Sequence, residues 1–324
     1  MEKTLDYYLS TFETYLKANQ FTKEPKHLYE PIDYIMALGG KRIRPVMALV
    51  FAEAYGSQSQ SALPLAFAIE IFHNFTLVHD DIMDEAPLRR GSQTVHHKWD
   101  VNTAILSGDS MLILAYQELL KLETQDLKPL MTLFSNTAQW VCEGQQLDMD
   151  YETKTEVALS DYLEMIRLKT AVLLSSSMQL GAMFSGADAK ELSLIESYGT
   201  SIGLAFQLRD DYLDVFGNEE IGKQQAGDIL SNKKTALYLL ALEQANADDK
   251  AKLLKLYANE AEMGLEKVAL VTEMFNKYDI KTQIQAKLET LFSEANSKVE
   301  LMSINEAFKS LLLALNSKII HRSS

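Results

Sequence analysis

The 324-residue chain is 47% hydrophobic with a mean hydropathy of -0.10, which is the composition of a water-soluble globular protein and excludes disorder and fibre. Its 31 Lys and Arg against 45 Asp and Glu leave a formal net charge of -14, so no general cationic surface exists to attract nucleic acid or anionic lipid. The single cysteine, Cys142, allows neither an internal disulfide nor a cysteine metal cluster; with no apolar run near the ~20 residues of a membrane helix and no signal-peptide order at the N-terminus, a cytoplasmic protein without a transmembrane segment is expected.

All six prolines lie at or before Pro129, which leaves the remaining chain free for long uninterrupted helices. The run PVMALVFAEAY reads as a helix closed by Gly56-Ser57, and Phe75 to Asp84 reads as the end of a second. Asn102-Thr103 opens AILSGDSMLILAYQELLKL. In Tyr162 to Met183, Leu163, Ile166, Val172, Leu173 and Leu180 recur at helical intervals, with Asp161 after Ser160 as the expected N-cap and Gly186 as the stop. No comparable alternation supports an amphipathic strand. The expectation is an all-α protein of roughly a dozen or more helices, forming one domain over residues 1–324.

One pattern occurs twice. Phe75 to Asp84 (FTLVHDDIMD) and Phe206 to Asp214 (FQLRDDYLD) both end an apolar helical stretch in DDxxD. Residues i and i+4 of a helix lie one above the other, so Asp80 and Asp84 share a face, as do Asp210 and Asp214. Stacked carboxylates on a packed face require a countercharge, which hard divalent cations supply. Magnesium favours one or two carboxylates, several waters and phosphate oxygens, so the expected ligand set is several Mg²⁺ ions bridging to a substrate diphosphate. Cations accompany the motifs. Gly39-Gly40-Lys41-Arg42-Ile43-Arg44-Pro45 precedes the first, Arg89-Arg90-Gly91 follows it, and Lys223, Lys233 and Lys234 follow the second.

Together these residues resemble the trans-isoprenyl diphosphate synthases, the polyprenyl synthetase family that includes farnesyl and geranylgeranyl diphosphate synthases. The resemblance runs through GGKRIRP at 39–45, LVHDDIMDEAPLRRG at 77–91, EGQQLDMDYE at 143–152, LKT at 168–170, GLAFQLRDDYLDVFG at 203–217, GK at 222–223 and GDILSNKKT at 227–235. It implies the isoprenoid-synthase helical bundle around a central cavity, a homodimer, and head-to-tail condensation of isopentenyl diphosphate with an allylic diphosphate. Ionisation of the allylic diphosphate would give an allylic cation, which the isopentenyl double bond attacks before a proton leaves.

Carried over position by position, the resemblance makes Asp80, Asp84 and Asp210 direct magnesium ligands, and Asp214 and Asp228 weaker or water-mediated ones. Arg89, Lys169, Lys223 and Lys233 correspond to the cations that grip the allylic diphosphate. Thr170 and Gln207 correspond to oxygen dipoles aimed at the developing carbocation, so Lys169, Thr170 and Gln207 form the catalytic set. Lys41, Arg44, His73 and Arg90 match the isopentenyl diphosphate pocket. Phe72, Phe75 and Thr76, one to two turns before Asp80, are expected to form the floor that limits chain length. Phe75 beside a small Thr76 resembles some geranylgeranyl synthases, so a C20 product is expected, with C15 farnesyl diphosphate as the alternative and a non-catalytic synthase subunit as a further one. His79, His96 and His97 read as surface or supporting groups, Cys142 as a small buried hydrophobe, and Gln145, Gln146 and Asp148 as structural groups or supports of the site residues. Glu70-Ile71-Phe72-His73 is a Glu-x-x-His unit, but the second unit required for a di-iron bundle is missing.

Overall fold

A computed structural model describes residues 3–124, 127–154, 156–217, 226–258 and 264–320. Among the described residues the chain is helical throughout apart from one two-stranded ladder, as the absence of strand periodicity predicts. It divides into two compact units.

The first unit comprises Met1–Ser135, Ser176–Leu192 and Ile304–Phe308. It holds α1 (Leu5–Ala18), α2 (Lys26–Ala37), α3 (Ile43–Ala54), a 3₁₀ turn (Ser59–Ala62), α4 (Leu63–Met83), the strands β1 (Leu88–Arg89) and β2 (Ser92–Gln93), α5 (Val95–Lys98) and α6 (Val101–Leu119). Its centre is α4, which packs along α6 and against α3. Leu65, Ala66, Phe67, Ala68, Ile69, Ile71 and Phe72 are all buried there, and burial on every face is the mark of a core helix. By composition the segment Ser59–Met83 could cross a membrane, but 72% of its apolar window is buried within the protein.

Pro45 lies in the first turn of α3 and Pro64 in that of α4, where a missing N–H costs nothing. Pro31 lies inside α2. Helix α3 ends as predicted, with Gly56 at φ +106°. Helix α6 starts one residue before its predicted opening, because Asp100 accepts the Thr103 N–H at 2.9 Å and caps it.

The second unit comprises Asn136–Ser175, Ser193–Ser303 and Lys309–Ser324. The long helices α7 (Leu127–Thr153) and α10 (Ala189–Phe216) begin in the first unit's sequence and continue here. Between them in the chain lie α8 (Leu159–Ile166), a π-helical segment (Arg167–Ala171) and α9 (Val172–Phe184), which passes into the first unit at Ser176; beyond them lie α11 (Gly227–Leu230), α12 (Ala236–Gln244), α13 (Ala247–Tyr257), α14 (Gly264–Lys277), α15 (Ile280–Leu301) and α16 (Glu306–Ile320), whose first residues up to Phe308 belong to the first unit. Helix α12, with Ala236, Leu237, Tyr238, Leu239, Leu240 and Ala241 all buried, packs against α8, α14 and α15.

Three expectations are corrected. The helix predicted over 162–183 is interrupted by the π segment, and it begins at Leu159 with Ala158 rather than Ser160 or Asp161 at the N-cap. Asp161 instead sits in the first turn, where its charge complements the helix dipole. Cys142 is exposed rather than buried. The ladder lies where no strand was predicted, because Arg90 (φ +52°) and Gly91 (φ +76°) both take left-handed backbone, the requirement of a two-residue hairpin turn.

Candidate active site

In the first unit, α4 delivers the first acidic motif at its C-terminal end, with Asp84 as the C-cap. The three aspartates differ sharply in environment. Asp81 is buried and accepts from Arg89 through Nε at 2.8–2.9 Å and Nη2 at 2.7 Å, whereas Asp80 is half-buried and Asp84 exposed. The i, i+4 pair therefore keeps its access to solvent while the middle carboxylate is neutralised from within. His79, beside Asp80, points Nε2 at Ile105 O at 3.2 Å, and it fits only because residue 108 is glycine: a Cβ there would lie 2.2 Å from that nitrogen. His96 and His97 contact each other, ring to ring, at 4.8 Å.

The cations of GGKRIRP separate into different roles. Arg42, held in left-handed backbone at φ +48°, is buried and bonded to Glu70 Oε1 and Met36 O. Glu70, 2% exposed, also accepts from Asn74 Nδ2 at 3.0 Å, so this Glu-x-x-His unit is a structural ion pair and not an iron site. Lys41 is exposed. Arg44 places Nη1 3.3 Å from His73 Nε2, and its buried Nε has no hydrogen-bond partner. Arg90 donates to Gly39 O. Burial, then Arg44, Arg90 and Arg89, holds the His73 imidazole well below its ordinary pKa. Burial, with Arg90 adding to it and Glu70 opposing, also lowers Arg44. A neutral histidine among arginines, with an unpartnered guanidinium N–H, is a setting suited to an anion.

Below the motif on the same helix, Phe72 is 1% and Phe75 8% exposed. Phe72 packs on Phe75 at 5.6 Å and on Phe134 at 5.4 Å, and Phe75 packs on His79 at 4.8 Å. Thr76 turns its hydroxyl back to His73 O at 2.8 Å.

In the second unit, α10 carries the second motif with the same division. Asp211 is 3% exposed, while Asp210 and Asp214 are half-buried. Burial pushes the Asp211 carboxyl up to about 7, opposed by the Tyr162 hydroxyl and the Gln207 amide that donate to it. Both Asp214 oxygens are engaged at the start of α11: Oδ1 accepts Gly227 N–H at 3.2 Å and Oδ2 accepts Asp228 N–H at 3.0 Å. That leaves Asp214 fewer lone pairs for a cation and ties Asp228 to it.

The π segment carries Lys169 and Thr170. π-helical bulges are rare and concentrate at functional sites, and here close packing surrounds one. A Cβ on Gly144 of α7 would lie 2.3 Å from Lys169 N, and one on Gly203 of α10 would lie 2.5 Å from Ala171 Cα. Lys169 Nζ reaches Asp148 Oδ2 at 2.6 Å, so the lysine has a carboxylate partner and Asp148 takes the supporting role, one of the two expected of it. Thr170 Oγ1 lies 3.4 Å from Gln207 Oε1. Lys233 is exposed, Lys234 donates to Tyr151 O at 2.6 Å, and Lys223 lies outside the described residues.

Among the described residues no three His, Cys, Asp or Glu side chains converge on a common metal position. The donors at the outer positions of the two motifs are carboxylate oxygens with solvent access. Such a set fits a hard cation that keeps most of its waters and completes its shell with substrate phosphate, as Mg²⁺ does.

The polyprenyl synthetase sequence profile matches residues 25–275. A geranylgeranyl diphosphate synthase of Methanosarcina mazei is 43% identical over 223 residues, covering 68% of this chain and 69% of its own. A short chain isoprenyl diphosphate synthase of Methanothermobacter thermautotrophicus is 35% identical over 292 residues, 89% of each chain. The fold superposes on a crystal structure of a geranylgeranyl pyrophosphate synthase with a TM-score of 0.94 at 44% identity, over 99% of this chain and 100% of that one. The recurrent all-α fold, the two acidic motifs and these matches agree, and the chain belongs to the polyprenyl synthetase family.

Proposed function

We propose that this protein is a prenyltransferase that joins isopentenyl diphosphate head-to-tail to an allylic diphosphate, releasing diphosphate, with geranylgeranyl diphosphate as its product. The observation that carries the reading is the repeated division of DDxxD into accessible outer carboxylates and a buried, internally compensated middle one. The names of the relatives supply the C20 product.

Asp80, Asp84 and Asp210 would hold the Mg²⁺ ions, with Asp214 and Asp228 in supporting positions. Bound there with the allylic diphosphate, Mg²⁺ supplies the positive charge that stabilises the departing diphosphate. Arg89, oriented by its bond to Asp81, presents its remaining donors to that diphosphate. Lys169 joins it by exchanging Asp148 for a phosphate oxygen, and Lys223 and Lys233 complete the cation set. Thr170 and Gln207 offer neutral oxygen dipoles to the carbocation, where a carboxylate would trap it. Lys41, Arg44 and Arg90 grip isopentenyl diphosphate, and the unpartnered Arg44 Nε with neutral His73 beside it is the observation that favours this assignment. Phe72, Phe75 and Thr76 close the hydrocarbon channel.

The family match spans sequence from both compact units, which supports taking the chain as one synthetase domain. A homodimer is supported by α6 and its C-cap, where Leu106, Ile113 and the capping Leu120 are 60%, 59% and 61% exposed at seven-residue intervals; an apolar stripe of this kind suits pairing with its own copy. The exposed, unbridged Cys142 agrees with a cytoplasmic setting. The test is incubation with isopentenyl diphosphate and each of the C5, C10 and C15 allylic diphosphates, with and without Mg²⁺, followed by chain-length analysis. Elongation ending at C20 is expected; no Mg²⁺-dependent elongation of any primer would refute the reading.

A further inference from the structure

The second unit contains a hydrogen-bonded chain that the acidic motif alone does not explain. The Tyr162 hydroxyl on α8 donates to Asp211 Oδ2. The other oxygen, Oδ1, accepts from Gln207 Nε2 at 3.1 Å, and Gln207 Oε1 faces Thr170 Oγ1 at 3.4 Å. Tyr162 is 5% and Asp211 3% exposed, so water does not compete along this part of the chain.

A glutamine amide can point either its oxygen or its NH₂ in a given direction, and only its partners decide which. Here the NH₂ of Gln207 is taken up by Asp211 Oδ1, which leaves the carbonyl oxygen turned towards Thr170. Buried as it is, the Asp211 carboxyl is held in that place by its other donors. Tyr162 is the side chain that does so from outside the motif, since the Ala236 N–H is the further donor to this carboxylate.

We propose that Tyr162 is a positioning residue for prenyl transfer: through Asp211 it fixes the Gln207 amide with its carbonyl oxygen towards Thr170 and the reacting carbon. The inference rests on the prenyltransferase reading. It assigns a role to a residue outside every motif of the sequence, on α8 seven positions before Lys169 of the π segment.

The competing account is that Tyr162 merely anchors α8 against α10, and a double-mutant cycle separates the two. Tyr162→Phe, Gln207→Leu and the double variant are assayed for kcat and for the KM of isopentenyl diphosphate, with Tm as a check on folding. Tyr162→Phe is expected to lower kcat about tenfold, the equivalent of one hydrogen bond, with the KM for isopentenyl diphosphate unchanged. In the Gln207→Leu background the same substitution is expected to change kcat by less than about twofold. Equal losses in both backgrounds, or wild-type kcat in Tyr162→Phe, would overturn the proposal. If Tyr162→Phe does not fold, Asp211→Leu takes its place: it removes the acceptor that holds the Gln207 NH₂, and wild-type kcat in that variant overturns the proposal equally. Failure of the wild-type protein to elongate any primer is a different result, and it removes the prenyltransferase reading itself.

Discussion

Gly144→Ala is the perturbation that most directly asks whether the π segment positions catalytic groups. The added Cβ would lie 2.3 Å from Lys169 N and 2.7 Å from Leu168 C and Lys169 Cα. These are backbone atoms, so no side-chain rotation relieves the contact, and the segment bearing Lys169 and Thr170 must retreat by about 1 Å to reach van der Waals distance. Displacement of a catalytic group on that scale costs about 100-fold in rate. The stability cost is smaller. Overpacking costs roughly 1–3 kcal/mol, offset by about 1 kcal/mol because alanine suits a helix interior better than glycine, so Tm should fall by only a few degrees. The assay is kcat for Mg²⁺-dependent elongation alongside thermal unfolding. Gly186→Ala serves as the control: Gly186 has φ +84°, and a Cβ added there would meet no atom within 4 Å, so it should lose stability without losing kcat. Wild-type kcat in Gly144→Ala would refute the claim that close packing against α7 sets the geometry of Lys169 and Thr170.

Phe75→Ala removes a ring wedged between Phe72 and His79; it should extend the product by at least one five-carbon unit at a stability cost of about 3 kcal/mol, and an unchanged product profile would exclude Phe75 from the channel floor. His73 is held well below its ordinary pKa of 6.5, so the unfolded chain takes up the proton first and the stability this depression confers, complete above the unfolded value, is lost as pH falls. Urea unfolding of the substrate-free protein should show the advantage of wild type over His73→Gln shrinking by about 1 kcal/mol between pH 6.5 and 5.5; a constant difference would contradict a neutral imidazole at this position. Within GGKRIRP, Arg42→Met should cost roughly 3–5 kcal/mol by leaving Glu70 buried and unpaired, whereas Lys41→Ala should leave Tm essentially unchanged and raise the KM for isopentenyl diphosphate. In calorimetric titrations with EDTA, isopentenyl diphosphate should still bind, more weakly as salt is raised, while binding of the allylic diphosphate should be lost; equal dependence of both on Mg²⁺ would argue against separate arginine and carboxylate sites.

The features legible in the sequence were those written in local spacing. Proline distribution and apolar periodicity gave the all-α class, and the i, i+4 relation identified Asp80 with Asp84 and Asp210 with Asp214 as pairs. Spacing gives a residue's angle around its helix, but not which angle faces packed protein. The burial of Asp81 and Asp211 therefore depends on Arg89, eight residues away, and on Tyr162, 49 residues away. Spacing also assumes a constant helical register, and the π segment at Arg167–Ala171 breaks it just before Thr170. The glycines at 144 and 203 were the available signal: a glycine inside an apolar helix marks a close approach of backbones, here against the π segment itself. Arg42 and Lys41 are neighbours with the same charge, yet one is an internal ion-pair partner and the other is solvent-exposed, a distinction set by Glu70 on another helix.

The division within each DDxxD also changes what the net charge of -14 means for an anionic substrate. Three adjacent carboxylates exposed together would repel a diphosphate, and buried together they would protonate rather than stay charged. Each motif avoids both outcomes by giving its middle aspartate a different task. Asp81 directs its charge at Arg89, which orders a cation beside the accessible pair. Asp211, whose carboxyl burial raises to about 7, instead accepts from Tyr162 and Gln207 and so orders a neutral dipole. A cation suits the stabilisation of a leaving diphosphate, and a neutral oxygen suits a carbocation that a full negative charge would capture. The same DDxxD pattern thus supports two different chemistries, and what separates them is the partner of the buried aspartate, arginine in one case and tyrosine with glutamine in the other.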